Sequence, residues 1–267
     1  GMTPDAEEVV RIAHQAGTAI MGLYDETTGI PFQTKEDSSP LTKADLAAHE
    51  TIQTGLLSAF PLLPLVSEEG RAGNPLESEF SWLVDPLDGT KEFIKRNDMF
   101  TVNIALMRRT GNRWKPVFGV VHAPATGITW VGGAKHPSER RKMGVNTYIR
   151  VNEEITNPVN LVASGSHRSQ VDESFANKLG SYSLVRMGSS LKACAVADGS
   201  ADLYPRFGPT SCWDIAAAHA VVVAAGGLVV GPDGNELDYD LVDDVLNPHF
   251  LVACSPRWNH IWVDNQD

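Results

Sequence analysis

The chain has 267 residues and a formal net charge of −11, from 22 Lys and Arg against 33 Asp and Glu. Hydrophobic residues make up 42% and charged residues 21%, an ordinary globular balance that excludes a disordered chain, a coiled coil and a collagen-like repeat. The acidic surface repels nucleic-acid backbones and anionic membranes, no apolar run is long enough to span a bilayer, and the three cysteines lack C-x-x-C spacing, which excludes a disulfide framework or a zinc ribbon and fits a reducing compartment.

Gly1 ahead of Met2 reads as an expression-tag remnant, and the start lacks the basic and apolar regions of a signal peptide. Residues 4–24 predict a helix, with Val9, Ile12, Ala13, Ala16, Ile20 and Leu23 at helical spacing. A polar turn follows over 34–40. Thr42 is then expected to cap a second helix, with Asp45 as its acidic partner three residues on. The period changes after that. Strands are expected at 63–67, 81–85, 100–107, 117–122 and 127–131, forming a mostly antiparallel meander. The stretch 135–150 is the least apolar and reads as an outer loop at a boundary. Strands and helices alternate beyond it: strands at 161–164, 184–187, 202–204, 227–230 and 250–254, and helices at 171–179, 189–197 and 213–225. This pattern predicts α+β followed by layered α/β, with subdomains 2–150 and 151–267. Asp233-Gly234-Asn235 reads as a hairpin turn.

Two acidic groups carry the chemistry. In Trp82-Leu83-Val84-Asp85-Pro86-Leu87-Asp88-Gly89-Thr90 an apolar strand delivers Asp85 at its end. Pro86 cannot donate a ladder hydrogen bond, and Gly89 permits a tight bend. Glu68 and Glu69 end the preceding apolar run and can reach the same place. Oxygen-rich clusters of this kind suit a hard cation, Mg²⁺ above all. The second group is Trp213-Asp214, followed after eleven residues by Gly226-Gly227. Taken alone, Asp214 reads as the N-cap of an apolar helix.

Taken together in this order, these pieces resemble the inositol monophosphatase superfamily, the lithium-sensitive, Mg²⁺-dependent phosphomonoesterases. The resemblance covers nearly the whole chain and implies an αβαβα sandwich with its metal site between two subdomains. A finer resemblance is to the bacterial 3′(2′),5′-bisphosphate nucleotidases. It rests on the string from Asp88 to Asn97, on Ser164-Gly165-Ser166-His167-Arg168-Ser169, on Gly188-Ser189-Ser190-Leu191-Lys192 and on the string from Leu203 to Pro209. The resemblance implies that Glu68, Asp85, Asp88, Asp214 and the Leu87 carbonyl hold two or three Mg²⁺ ions. It also implies that Asp45 and Thr90 activate a water with Glu69 in support, and that Gly89 and Thr90 offer backbone N–H groups to the phosphate.

A bisphosphate carries a second phosphate beyond reach of the metals. Arg206 is the best candidate to bind it, with Lys192 next, Ser189 beside them and His167 against the nucleoside. The expected reaction converts adenosine 3′,5′-bisphosphate to AMP and phosphate. The alternatives are an inositol or general sugar-phosphate phosphatase and, more remotely, a nucleotide sensor without catalysis. The expected partners are a small phosphorylated nucleotide and, at most, a second copy of the chain in a homodimer. The expected compartment is the cytoplasm, with peripheral membrane association left open.

Overall fold

The computed structural model describes residues 2–26, 39–155, 157–164 and 169–266. The first layer is a helical pair, α1 (Ala6–Glu26) and α2 (Pro40–Ala59). Their apolar stripes, with Val9, Ile12, Ala16 and Ile20 on α1 and Ala44, Ala48, Ile52 and Leu56 on α2, are fully buried. They face an eight-stranded sheet with β1 (Leu65–Ser67), β2 (Gly70–Ala72), β3 (Phe80–Asp88), β4 (Thr101–Thr110), β5 (Arg113–Ala123), β6 (Ile128–Gly133), β7 (His136–Lys142) and β8 (Val145–Tyr148) in the order β2-β1-β3-β4-β5-β6-β7-β8. Only the β1–β3 pair is parallel.

The central strands read as almost continuous apolar runs because both faces of this sheet are covered. Val102, Ile104 and Leu106 pack toward α1 and α2, whereas Ala105 and Met107 belong to the other core. That second core holds α5 (Leu191–Ala197) and α6 (Cys212–Ala224), which lie between the first sheet and a five-stranded one. The second sheet comprises β9 (Val159–Ala163), β10 (Tyr182–Arg186), β11 (Leu203–Arg206), β12 (Leu228–Val230) and β13 (Phe250–Ala253) in the order β10-β9-β11-β13-β12. The last layer is α4 (Gln170–Lys178) and α7 (Asn259–Asp264), anchored by Phe175 against Trp262 at 5.6 Å between ring centres. Five layers, αβαβα, result. The short helix α3 (Thr90–Lys95) caps the end of β3.

Several expectations are corrected. The cap of α2 is Ser39, whose Oγ accepts from the Thr42 N–H at 3.1 Å, because Pro40 sits at the first helical position and needs no partner. Most of the polar turn expected at 34–40 lies outside the described residues. The stretch read as an outer loop forms β7 and β8, joined by a two-residue turn with Met143 at φ 50° and Gly144 at φ 77°. These strands escaped notice because β8, at the sheet edge, is exposed along its whole length and β7 carries polar side chains, so neither shows apolar alternation. Ser138 is buried and donates to the Val221 carbonyl at 2.7 Å, tying β7 to α6. Helices α3 and α7, six residues each, are too short to show a helical period.

Helix α6 approaches β5 closely at Gly119. A Cβ there would lie 2.1 Å from the Ala217 carbonyl oxygen. Gly119→Ala should therefore push α6 off the sheet and cost about 1–3 kcal/mol, as overpacking does. Urea unfolding of the two proteins checks this, and unchanged stability would contradict the close packing.

Candidate active site

The parallel pairing of β1 and β3 sets Glu68 beside Asp85. Ser67 aligns with Val84, and the Glu68 N–H donates to the Val84 carbonyl at 3.2 Å. Asp85 and Asp88 are three apart, so a regular strand would point them to opposite faces. Instead β3 carries one extra residue against β4. Asp85 pairs with Asn103, and Asp88 pairs with Thr101. This bulge at Pro86-Leu87 turns both carboxylates to the same side. Gly89 then takes φ 93°, and a Cβ there would crowd the Met99 carbonyl oxygen at 3.2 Å, so glycine starts α3 best.

Asp214 arrives on the first turn of α6. It is not the N-cap of α6, the reading its position gives when taken alone. Ser211 holds that place, and its N–H donates to Asp214 Oδ2 at 2.7 Å. Ligand oxygens of Asp85, Asp88 and Asp214 come within 4.8 Å of one another. Two groups missed by the sequence reading hold Asp88. Its Oδ2 accepts from the Ser190 N–H at 2.9 Å, the Ser190 hydroxyl at 2.7 Å and the Asn103 amide at 3.2 Å. The Thr101 hydroxyl donates to Asn103 Oδ1 at 2.9 Å and fixes the amide orientation. A signal existed for both. Asn103 interrupts the apolar run of β4, and Ser190 lies in the Gly188–Lys192 string.

Burial, then the charges of Asp88, Glu68 and Asp214, hold the Asp85 carboxyl well above the usual carboxylate range. Burial and the charge of Asp214 push Asp88 up to about 7, against the pull of the Ser190 hydrogen bond and the Lys192 charge. Burial also raises Asp214, although the Ser211 N–H works against it. An all-oxygen cluster that resists being charged by itself fits a hard divalent cation.

The acids open into a cavity of about 340 Å³. Glu68, Leu87, Gly89, Thr90, Ser189, Lys192 and Arg206 line it with the three aspartates. Ser189 sits at φ 50° and donates to the Met99 carbonyl at 2.7 Å. Lys192 lies on the first turn of α5. It is 6% exposed, with Nζ 5.4 Å from the centre of the Tyr204 ring. Arg206 is half-buried, and its Nε has no hydrogen-bond partner among the described residues. Asp45 and Glu69 are not among the lining residues. Asp45 is buried on α2 one turn before His49, and the His49 ring meets Ser67 Oγ at 3.0 Å. Ser67 Oγ in turn accepts from the Glu69 N–H at 3.2 Å. His49 thus braces the turn that carries Glu68, a histidine to which the sequence reading gave no role. His167 lies outside the described residues. The cysteines are buried, with thiols pushed up by that burial, and present no nucleophile.

Residues 4–260 match the profile of the inositol monophosphatase family. The 3′(2′),5′-bisphosphate nucleotidase CysQ of Escherichia coli (strain K12) is 44% identical over 249 residues, which are 92% of this chain and 98% of that protein. The protein of the same name from Buchnera aphidicola is 38% identical over 93% of each chain. The crystal structure of CysQ from Bacteroides thetaiotaomicron, a bacterial member of the same family, superposes with a TM-score of 0.81 at 34% identity, over 94% of this chain and 97% of that one. An inositol monophosphatase from Anabaena shares the fold, with a TM-score of 0.74 at 21% identity. The chain belongs to the inositol monophosphatase family.

The raised carboxyls set a pH dependence for the metal-free protein. A group whose pKa is higher in the fold than in the unfolded chain stabilises the fold at low pH, and that stability is lost as pH rises through the folded value. For Asp88 the window runs from 3.8 to about 7. In a chelator, Asp88→Asn should raise the melting temperature relative to the parent protein at pH 8 and by much less at pH 5. Equal shifts at both pH values would contradict a charge penalty at Asp88.

Proposed function

We propose that this member of the inositol monophosphatase family is a Mg²⁺-dependent phosphomonoesterase that converts adenosine 3′,5′-bisphosphate to AMP and phosphate. The observation that carries the reading is one cavity in an acidic chain that joins an all-oxygen acid cluster to a cationic wall. Its likeness to proteins named 3′(2′),5′-bisphosphate nucleotidase supports the choice of substrate.

Asp85, Asp88, Asp214, Glu68 and the Leu87 carbonyl would hold the metal ions, the first three as the buried core of the set. Bound there, Mg²⁺ supplies positive charge to the reacting phosphate and acidity to water. The chain's own groups do the rest. Thr90 faces the cavity and is assigned to orient the attacking water, with Asp45, buried behind the lining on α2, as its partner in taking the proton. Glu69 supports the turn that presents Glu68. Gly89 and Thr90 hold the reacting phosphate at the bend after β3. We place the subdomain boundary near 150. Residues 2–150 would then supply most acids, and 151–267 would supply Asp214 and the cationic wall.

The second phosphate goes to that wall. Arg206 projects a planar guanidinium suited to bidentate contact with phosphate, Lys192 adds a compact charge, and Ser189 borders both. His167 is assigned to the nucleoside. An inositol phosphate offers hydroxyls in place of this second anion, so the wall favours the bisphosphate.

Arg206→Ala should lower kcat/KM for adenosine 3′,5′-bisphosphate on the order of 10- to 100-fold, the worth of a charge-assisted contact of about 1.5–3 kcal/mol. A monophosphate substrate should suffer much less. Equal losses on both, or a parent protein that prefers inositol 1-phosphate, would overturn the bisphosphate reading.

A further inference from the structure

Five of the chain's 22 Lys and Arg residues line the catalytic cavity, and they fall into two groups. Lys192 is buried and Arg206 half-buried, and both lie near enough to the acids for their charges to act on them. The charge of Lys192 pulls the Asp88 carboxyl down, and that of Arg206 does the same to Asp214. Lys91, Lys95 and Arg186 are exposed. Lys91 and Lys95 are four apart on α3, so they share one helical face. Arg186 ends β10, two residues before Gly188. The backbone at Gly188 lies against the Glu92 side chain of α3, since a Cβ there would sit 2.7 Å from Glu92 Oε1. The end of β10 and the start of α3 therefore meet, and the three cations flank one opening.

Among the described residues none of the three has a carboxylate in ion-pair range, whereas Arg11, Arg108, Arg113 and Arg141 are paired with Glu8, Glu79, Asp238 and Glu7. Glu92 is the one acid beside them on α3, so three unpaired cations against one carboxylate leave this mouth positive in a chain of net charge −11, a local reversal of sign. Such a reversal concentrates anions that the surface as a whole repels.

We infer that Lys91, Lys95 and Arg186 form an outer anion site that captures a phosphorylated substrate at the mouth, before its reacting phosphate reaches the acids. The site takes phosphate dianions and is separate from the inner wall of Lys192 and Arg206. It rests on the reading of the cavity as a phosphatase site. It does not depend on which phosphomonoester is hydrolysed.

Two measurements test it with Lys91→Gln/Lys95→Gln/Arg186→Gln. First, adenosine 3′,5′-bisphosphate is titrated into protein held in chelator at about 20 mM NaCl, where screening is weak. The parent should bind about tenfold more tightly than the variant, and the difference should vanish by about 300 mM NaCl. Equal affinities at low salt would overturn the outer site. Second, kcat/KM for the Mg²⁺-loaded protein's best phosphomonoester is followed over the same salt range. The parent should fall steeply and the variant should follow a flatter line that meets it at high salt, whereas parallel lines would overturn the proposal. If the triple variant does not fold, Lys95→Gln alone is used, with a smaller effect in the same direction. Failure of the nucleotidase reading would look different, since parent and variant would still separate at low salt while the best phosphomonoester in the second experiment would be one other than the bisphosphate.

Discussion

Asp85, Asp88 and Asp214 bring ligand oxygens within 4.8 Å of one another in a largely buried place, and their mutual repulsion is the constraint around which the rest of the structure is arranged. Desolvation and like charge both disfavour the ionised forms, so the carboxyls sit above their usual range. The fold answers in two ways. It supplies donors that hold the oxygens in place, from Ser190, Asn103 and the Ser211 backbone. It also sets cations in the lining of the same cavity. The repulsion that remains favours a divalent cation over an empty cluster of acids.

Each acid depends on a different local device. Glu68 is placed by the parallel pairing of β1 with β3, a pairing that is unusual in an otherwise antiparallel sheet. Asp85 and Asp88 share a face only because the bulge at Pro86-Leu87 shifts the register. Asp214 is delivered by the start of α6, which packs on the first sheet and also touches the second. The close contact between Gly119 and Ala217 therefore bears on the site as well as on stability, because it fixes how near α6 approaches β5. Ser190 acts as a cross-tie. Its hydroxyl lies 2.7 Å from Asp88 Oδ2 and 2.8 Å from the Asp214 carbonyl, so one residue couples acids from two parts of the chain.

Much of this was legible in the sequence. The apolar run ending in Asp85-Pro86-Leu87-Asp88-Gly89-Thr90 marked a strand and a bend, and the structure has both, but the strand does not end at Asp85: it runs through a bulge at Pro86-Leu87 to Asp88. The central strands and the long helices showed themselves because burial imposes a period. Elements too exposed or too short to show a period did not. The hairpin of β7 and β8 looked like a loop because β8 is exposed throughout and β7 buries only the polar Ser138, and α3 and α7 are shorter than two helical turns. The roles of Asn103, Ser190 and His49 were hidden for another reason. Each works by touching a residue distant in the chain, and a polar residue in an apolar strand does not say which carboxylate it will meet. Lys192 shows the same limit, since nothing local distinguishes a buried cation beside an aromatic ring from a solvated one.

A crystal structure of the protein grown with Mn²⁺ in place of Mg²⁺, with anomalous data collected near the manganese edge, tests the central claim most directly. The account predicts a strong anomalous peak coordinated by carboxylate oxygens of Asp85, Asp88 and Asp214 in the cavity. Full occupancy of manganese elsewhere, with no peak among these three carboxylates, would contradict it.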